Sequence, residues 1–120
     1  MIVQDDFLLR METAADLRQW GYDVVEAFSD ADARRALQAD RRIALVLLDV
    51  DVGRGQSGLA LARWIKGRYR EMKLLLTAAV VPTADGIPVL NKPYRPLELL
   101  QHIDALLDAP DPDQSRGEQR

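Results

Sequence analysis

Several residue types are scarce or missing in this chain of 120 residues, and each absence removes a class of function. There is no cysteine, which excludes a disulfide scaffold, a thiolate metal site and a cysteine nucleophile. The longest apolar run, residues 43–48, is far too short to span a bilayer. The first residues lead directly into acidic ones, without the basic and apolar segments of a signal peptide. We therefore expect a soluble, cytoplasmic protein.

The composition is that of a globular domain. Hydrophobic residues make up 48% and charged residues 29% of the chain, and its length suits one domain. The net charge of −3 argues against a partner that is nucleic acid or an anionic membrane, since both require a basic surface. Beyond Ala109 the sequence has no hydrophobic residue, so we predict a domain at residues 1–108 and a disordered tail at residues 109–120.

Two kinds of apolar pattern alternate along residues 1–108. Short apolar runs predict strands at residues 2–3, 24–25, 43–48, 74–76 and 89–90. Helical spacing lies between them, for example at Leu8, Met11 and Ala15, with Gly21 as a stop signal. This alternation predicts an α/β fold: a doubly wound, five-stranded parallel sheet of flavodoxin-like order.

Polar residues follow four of the predicted strands. They are Gln4, Asp5 and Asp6 after the first strand, Asp49 and Asp51 after the third, Thr77 after the fourth, and Asn91 and Lys92 after the fifth. The carboxyl ends of parallel strands share one edge of the sheet, so we expect these groups to meet there. Taken singly, each has an ordinary explanation as a helix cap, a turn residue or a strand former.

Taken together, these side chains have the chemistry of a phosphoryl-transfer site. Clustered carboxylates require a cation, and oxygen ligands suit Mg²⁺. A carboxylate beside Mg²⁺ can attack phosphorus and form an acyl phosphate. A lysine and a threonine hydroxyl can contact the oxygens of the transferred group.

The sequence resembles the receiver domain of bacterial two-component response regulators. The matching stretches run in order through nearly all of residues 1–108. They are residues 2–11, 21–27, 45–50, 57–62, 74–78 and 91–94.

The resemblance implies that Asp49 accepts a phosphoryl group from a sensor histidine kinase or a histidine phosphotransfer protein. It implies that Asp5, Asp49 and the backbone carbonyl of Asp51 hold Mg²⁺, and that Thr77 and Lys92 contact the phosphoryl group. Because only the predicted tail follows the last helix, we expect a stand-alone receiver that signals by binding proteins. We expect a phosphoacceptor rather than an enzyme.

The chain departs from the family pattern at several positions. Gln4 stands where the family has the first of two adjacent acids, which weakens the expected Mg²⁺ site. Few residues separate Thr77 from Lys92, so we expect the fourth helix to be shortened or absent. Val89 stands where the family has an aromatic switch residue. We therefore expect phosphorylation to act by ordering residues 78–88.

Three other interpretations fit parts of the sequence. Residues 53–58 match the glycine pattern of a dinucleotide-binding loop, although Asp49 and Asp51 would repel a pyrophosphate. Asp49 and Asp51 also resemble the nucleophile motif of haloacid-dehalogenase-type phosphatases. The more serious alternative, favoured by Gln4, is a degenerate receiver that acts only as a protein-interaction module.

Overall fold

The computed structural model describes residues 1–51, 57–80 and 86–108, with Ser57 described by its backbone alone. Five strands and four helices alternate in this part of the chain. They are β1 (Ile2–Val3), α1 (Phe7–Gln19), β2 (Glu26–Ala27), α2 (Asp30–Ala39), β3 (Leu45–Asp49), α3 (Ser57–Arg68), β4 (Lys73–Ala78), β5 (Val89–Asn91) and α4 (Pro96–Asp108). The predicted tail at residues 109–120 lies outside the described residues.

The sheet is parallel throughout, and its strand order is β2-β1-β3-β4-β5. This is the flavodoxin-like order, in which the chain starts near the centre and winds outward in both directions. The prediction of an α/β, doubly wound, five-stranded sheet is confirmed.

Helices cover both faces of the sheet, and side chains alternate between two apolar clusters. Val46 and Leu48 of β3 point into one cluster, with residues of α2 and α3. Leu45 and Leu47 point into the other, with residues of α1 and α4. A strand buried on both faces reads as a continuous apolar run, which is why residues 43–48 are so hydrophobic.

Specific residues mark the boundaries of three helices. The Ser29 side chain accepts a hydrogen bond from the Asp32 backbone N–H at 3.1 Å and so caps α2. Gly21, with a φ of 97°, follows α1 in the left-handed conformation that ends many helices. Pro96 is the first residue of α4, where a missing N–H costs nothing.

The family has a helix between its fourth and fifth strands, and we predicted that this helix is shortened or absent here. The described residues confirm that prediction. Between β4 and β5, residues 79–80 and 86–88 are not helical, and residues 81–85 lie outside the described part. The expected ordering of residues 78–88 on phosphorylation therefore stays a prediction.

Among the described helices, none is long and apolar enough to cross a membrane.

The second strand was predicted two residues too early. It comprises Glu26 and Ala27 rather than residues 24–25, because its register is set by β1. The Val25 carbonyl accepts the backbone N–H of Ile2 at 2.9 Å, just before the paired residues begin. Val24 and Val25 therefore lie just before the strand, and the residues that pair with β1 are Glu26 and Ala27.

The apolar residues whose spacing predicts α1 are not the ones that the helix buries. Thr13, Ala14 and Leu17 are buried, whereas Leu8 and Met11 are 62% and 46% exposed. The helix carries apolar residues on two sides, and the side with Ala14 and Leu17 packs in the cluster that contains Leu45 and Leu47 of the sheet. The spacing of Leu8, Met11 and Ala15 predicts the helix, and packing places another side of it against the core. An apolar stripe of Phe7, Leu8 and Met11 is left facing solvent.

Candidate functional site

Asp49 occupies the centre of the carboxyl edge of the sheet. It is the last residue of β3 and only 5% exposed. The register pairs it with Thr77 on β4, while Val3, the last residue of β1, pairs with the preceding Leu48. The four apolar residues of β3 before Asp49 are buried on both faces of the sheet, so they fix the position of this carboxylate.

Three hydrogen-bond donors from the described part of the chain surround the Asp49 carboxylate. The Lys92 Nζ and the Gln4 Nε2 each lie 2.5 Å from Oδ2. The backbone N–H of Asp51 donates to Oδ1 at 2.8 Å. A buried carboxylate needs such partners to remain ionised, and hydrogen bonds to a charged group are among the stronger ones.

Lys92 reaches Asp49 because the end of β5 is fastened to β4. The backbone N–H of Lys92 donates to the carbonyl of Ala78 at 2.8 Å, immediately after β5 ends at Asn91. Its side chain remains 26% exposed, so the ammonium lies between the buried carboxylate and solvent. A cation there can contact Asp49 and also an incoming anionic group.

Gln4 and Asp6 have separate roles at the end of β1. Asp6 caps α1, its side chain accepting the backbone N–H of Leu9 at 3.0 Å. Gln4 is buried against Asp49. Arg10 fixes the backbone there by donating from Nη1 to the Gln4 carbonyl at 2.9 Å. This geometry fits the register in which Gln4 and Asp5 take the places of the paired acids and Asp6 follows them.

The candidate metal ligands are of the type that Mg²⁺ prefers, but they include few negatively charged side chains. Asp5 and Asp49 carry carboxylates, and Asp51 adds a backbone carbonyl, all of them hard oxygen donors. Within the described residues, no group of three or more acidic, histidine or cysteine side chains is placed to hold a metal ion. Gln4 turns its nitrogen, not its oxygen, towards Asp49. A cation there would keep several water ligands, as Mg²⁺ commonly does.

Tyr94 is a neighbour of the site that the sequence alone did not single out. It is partly buried against the apolar cluster of α1 and α4. Burial raises the pKa of its phenol, the negative charge of Asp49 raises it further, and the Thr13 side chain acts in the opposite direction. The sequence feature that could have identified Tyr94 is its position directly after Lys92 and Pro93, in a stretch that resembles the family.

Gly58 is a second residue with a role that emerges only from the structure. A Cβ atom at this position would lie 2.5 Å from the carbonyl oxygen of Val50 and 2.7 Å from that of Asp49. The start of α3 therefore packs directly on the backbone that follows Asp49. This packing accounts for one glycine of residues 53–58, which match the pattern of a dinucleotide-binding loop, and residues 53–56 lie outside the described part.

Comparison with known families decides the family of the chain. A family model described as the response regulator receiver domain matches residues 1–104. The chain belongs to the response regulator receiver family. A curated relative, the transcriptional regulatory protein GltR of Pseudomonas aeruginosa, is 32% identical over 127 residues. The match covers 98% of this chain and 52% of GltR, so the chain spans about half the length of that relative.

Solved structures share the fold of this receiver domain. The receiver domain of NtrX from Brucella abortus superposes with a TM-score of 0.81 at 25% identity, covering 91% of this chain and 98% of that one. The response regulator TrrA of Thermotoga maritima, solved with Mg²⁺ and BeF, superposes with a TM-score of 0.77 at 22% identity. That alignment covers 88% of this chain and 95% of TrrA.

Proposed function

We propose that Asp49 accepts a phosphoryl group from the phosphohistidine of a sensor histidine kinase or a histidine phosphotransfer protein. The observation that carries this proposal is the buried Asp49 carboxylate at the end of β3, held 2.5 Å from the Lys92 ammonium. In the reaction, a carboxylate oxygen attacks phosphorus and the P–N bond breaks. The electron pair of that bond goes to the imidazole nitrogen, and an acyl phosphate forms on Asp49.

The neighbouring side chains have roles that follow from their chemistry. The Lys92 ammonium leaves Asp49 for an oxygen of the phosphoryl group and offsets its charge. The Thr77 hydroxyl, on the strand paired with β3, donates to a second oxygen. Asp5, Asp49 and the Asp51 carbonyl would hold Mg²⁺, which would supply further positive charge to the transferred group. The chain is then a phosphoacceptor rather than an enzyme with turnover.

The exposed stripe on α1 is the surface we assign to the phosphodonor protein. Phe7 and Leu8 are 60% and 62% exposed and begin the helix that follows Gln4, which itself contacts Asp49. A donor that brings phosphorus to Asp49 must cover this end of α1. Apolar side chains beside a buried reactive group are typical of an interaction site. A kinase donor, which consumes ATP, implies a cytoplasmic location.

Phosphorylation would then change which proteins the receiver binds.

A degenerate receiver is the second candidate, because an amide at Gln4 replaces a metal-site carboxylate. Mass spectrometry of the intact chain after incubation with acetyl phosphate and Mg²⁺ separates the candidates. The proposal predicts the gain of one phosphoryl group. No gain would contradict it and favour a module that acts by binding alone. Continuous hydrolysis of a small phosphate ester would instead indicate a phosphatase.

A further inference from the structure

The orientation of the Gln4 amide is fixed from both ends. Its Oε1 accepts the backbone N–H of Asp6 at 3.1 Å, and a backbone N–H can only donate. The amide nitrogen must therefore face the other way, where it lies 2.5 Å from Asp49 Oδ2. Gln4 is 6% exposed, so solvent does not compete for this nitrogen.

The amide changes the charge balance at the acceptor. A carboxylate at this position would repel Asp49 at hydrogen-bond distance and would require a cation to hold the pair together. The Gln4 amide instead donates to the same oxygen as Lys92. The acceptor therefore has two side-chain donors on Oδ2 and needs less added positive charge than a site with one more carboxylate.

We propose that Gln4 binds the phosphoryl group on Asp49, donating from Nε2 to one of its oxygens, and so reduces the dependence of this receiver on Mg²⁺. This inference rests on the proposed function, because it requires a phosphoryl group at Asp49. A group bonded to Oδ2 brings its oxygens next to the two donors that now contact that oxygen. Lys92 and Gln4 then pass together from the carboxylate to the phosphoryl oxygens.

A merely structural role for Gln4 makes a different prediction. If the amide only fastens β1 to β3, replacing it would alter stability but leave the Mg²⁺ requirement for phosphoryl binding unchanged. The decisive quantity is therefore the ratio of two dissociation constants for one phosphoryl mimic, measured in EDTA and in Mg²⁺.

The experiment uses the full chain and beryllofluoride, with binding followed by ¹⁹F NMR. For the wild type, we expect the dissociation constant in EDTA to exceed that in Mg²⁺ by less than about tenfold, because a hydrogen bond to a charged group contributes on that scale. Gln4→Glu should increase this ratio at least about tenfold. Gln4→Met, which keeps the length without the donor, should weaken binding in EDTA by about tenfold.

A second measurement does not depend on any variant. In EDTA, beryllofluoride should shift the side-chain NH₂ resonances of Gln4 in the ¹⁵N spectrum of the wild type. Unchanged Gln4 resonances, or equal ratios in the wild type and Gln4→Glu, would overturn the role of Gln4 while leaving Asp49 as the acceptor. Binding that persists in Asp49→Asn, or no binding even with Mg²⁺, would contradict the proposed function as well.

Discussion

The Lys92 Nζ lies 2.5 Å from Asp49 Oδ2, although 43 positions separate the two residues in the sequence. The pair exists because β3 and β5 both lie beside β4 and end at the same edge of the sheet. The carboxylate is almost fully buried and the ammonium is partly exposed. Loss of the lysine would leave a buried charge with, among the described residues, the Gln4 amide and the Asp51 N–H as its partners.

Lys92→Met should therefore lower the free energy of unfolding by about 1–3 kcal/mol, the usual cost of removing one partner of a buried polar group. The same substitution in an Asp49→Asn background should cost clearly less, because no buried charge is left behind. Urea denaturation of the four proteins measures the coupling. An equal cost of Lys92→Met in both backgrounds would show that the pair does not contribute.

Gly58 and Gly67 both lie in α3 and form a matched pair for testing the contact between α3 and β3. Gly58→Ala should destabilise the fold by about 1–3 kcal/mol, because the new methyl group would overlap the Val50 backbone. Gly67→Ala meets nothing within 4 Å and should instead stabilise the helix, by up to about 1 kcal/mol. Thermal unfolding of both variants tests this contrast. Equal effects would mean that the start of α3 does not rest on the β3 backbone.

The phenol of Tyr94 reports the charge at Asp49. Its pKa is raised above 10 first by burial and then by the Asp49 carboxylate. Asp49→Asn removes a negative charge and should lower the pKa of Tyr94. Because the pKa is higher in the folded chain, this phenol does not affect stability below pH 10 and lowers it as the pH rises through the folded-state pKa, since the unfolded chain loses its tyrosine proton first. NMR titration of ¹³C-labelled tyrosine measures the pKa directly. An unchanged pKa in Asp49→Asn would remove this electrostatic link.

The apolar stripe on α1 should matter for protein donors and not for small ones. Leu8→Asp is expected to slow transfer from a phosphohistidine protein by tenfold or more, as removal of an interface anchor does. Labelling by acetyl phosphate should be unchanged, because that donor needs no docking surface. Trp20→Ser, at the other end of the same helix, is the control and should affect neither reaction. Slower labelling by acetyl phosphate in Leu8→Asp would point to a damaged site instead.

The sequence predicted the sheet and its carboxyl edge well because both depend on short-range patterns. Continuous apolar runs mark buried parallel strands, and the polar residues after Leu48, Leu76 and Leu90 mark where those strands end. The proximity of Lys92 and Asp49 could be predicted because the carboxyl ends of parallel strands all lie at one edge of the sheet.

Other features required contacts that no local pattern encodes. Pairing with β1 decides which residues form β2, so the prediction from the apolar Val24 and Val25 placed this strand too early. The α1 helix is apolar on two sides, and only packing decided that Leu17 rather than Met11 is buried. The direction of the Gln4 amide depends on the Asp6 N–H, which the sequence cannot orient.

The central claim is that Asp49 is the sole phosphoacceptor, and mapping the label to a residue tests it most directly. Wild-type chain and Asp49→Asn are incubated with acetyl phosphate and Mg²⁺, and peptides are analysed by mass spectrometry. The change is nearly isosteric, so circular dichroism should show an intact fold in the variant. The account predicts one phosphoryl group on the peptide containing Asp49 in the wild type and none in the variant. Labelling that persists in Asp49→Asn, on Asp51 or Asp6, would contradict it.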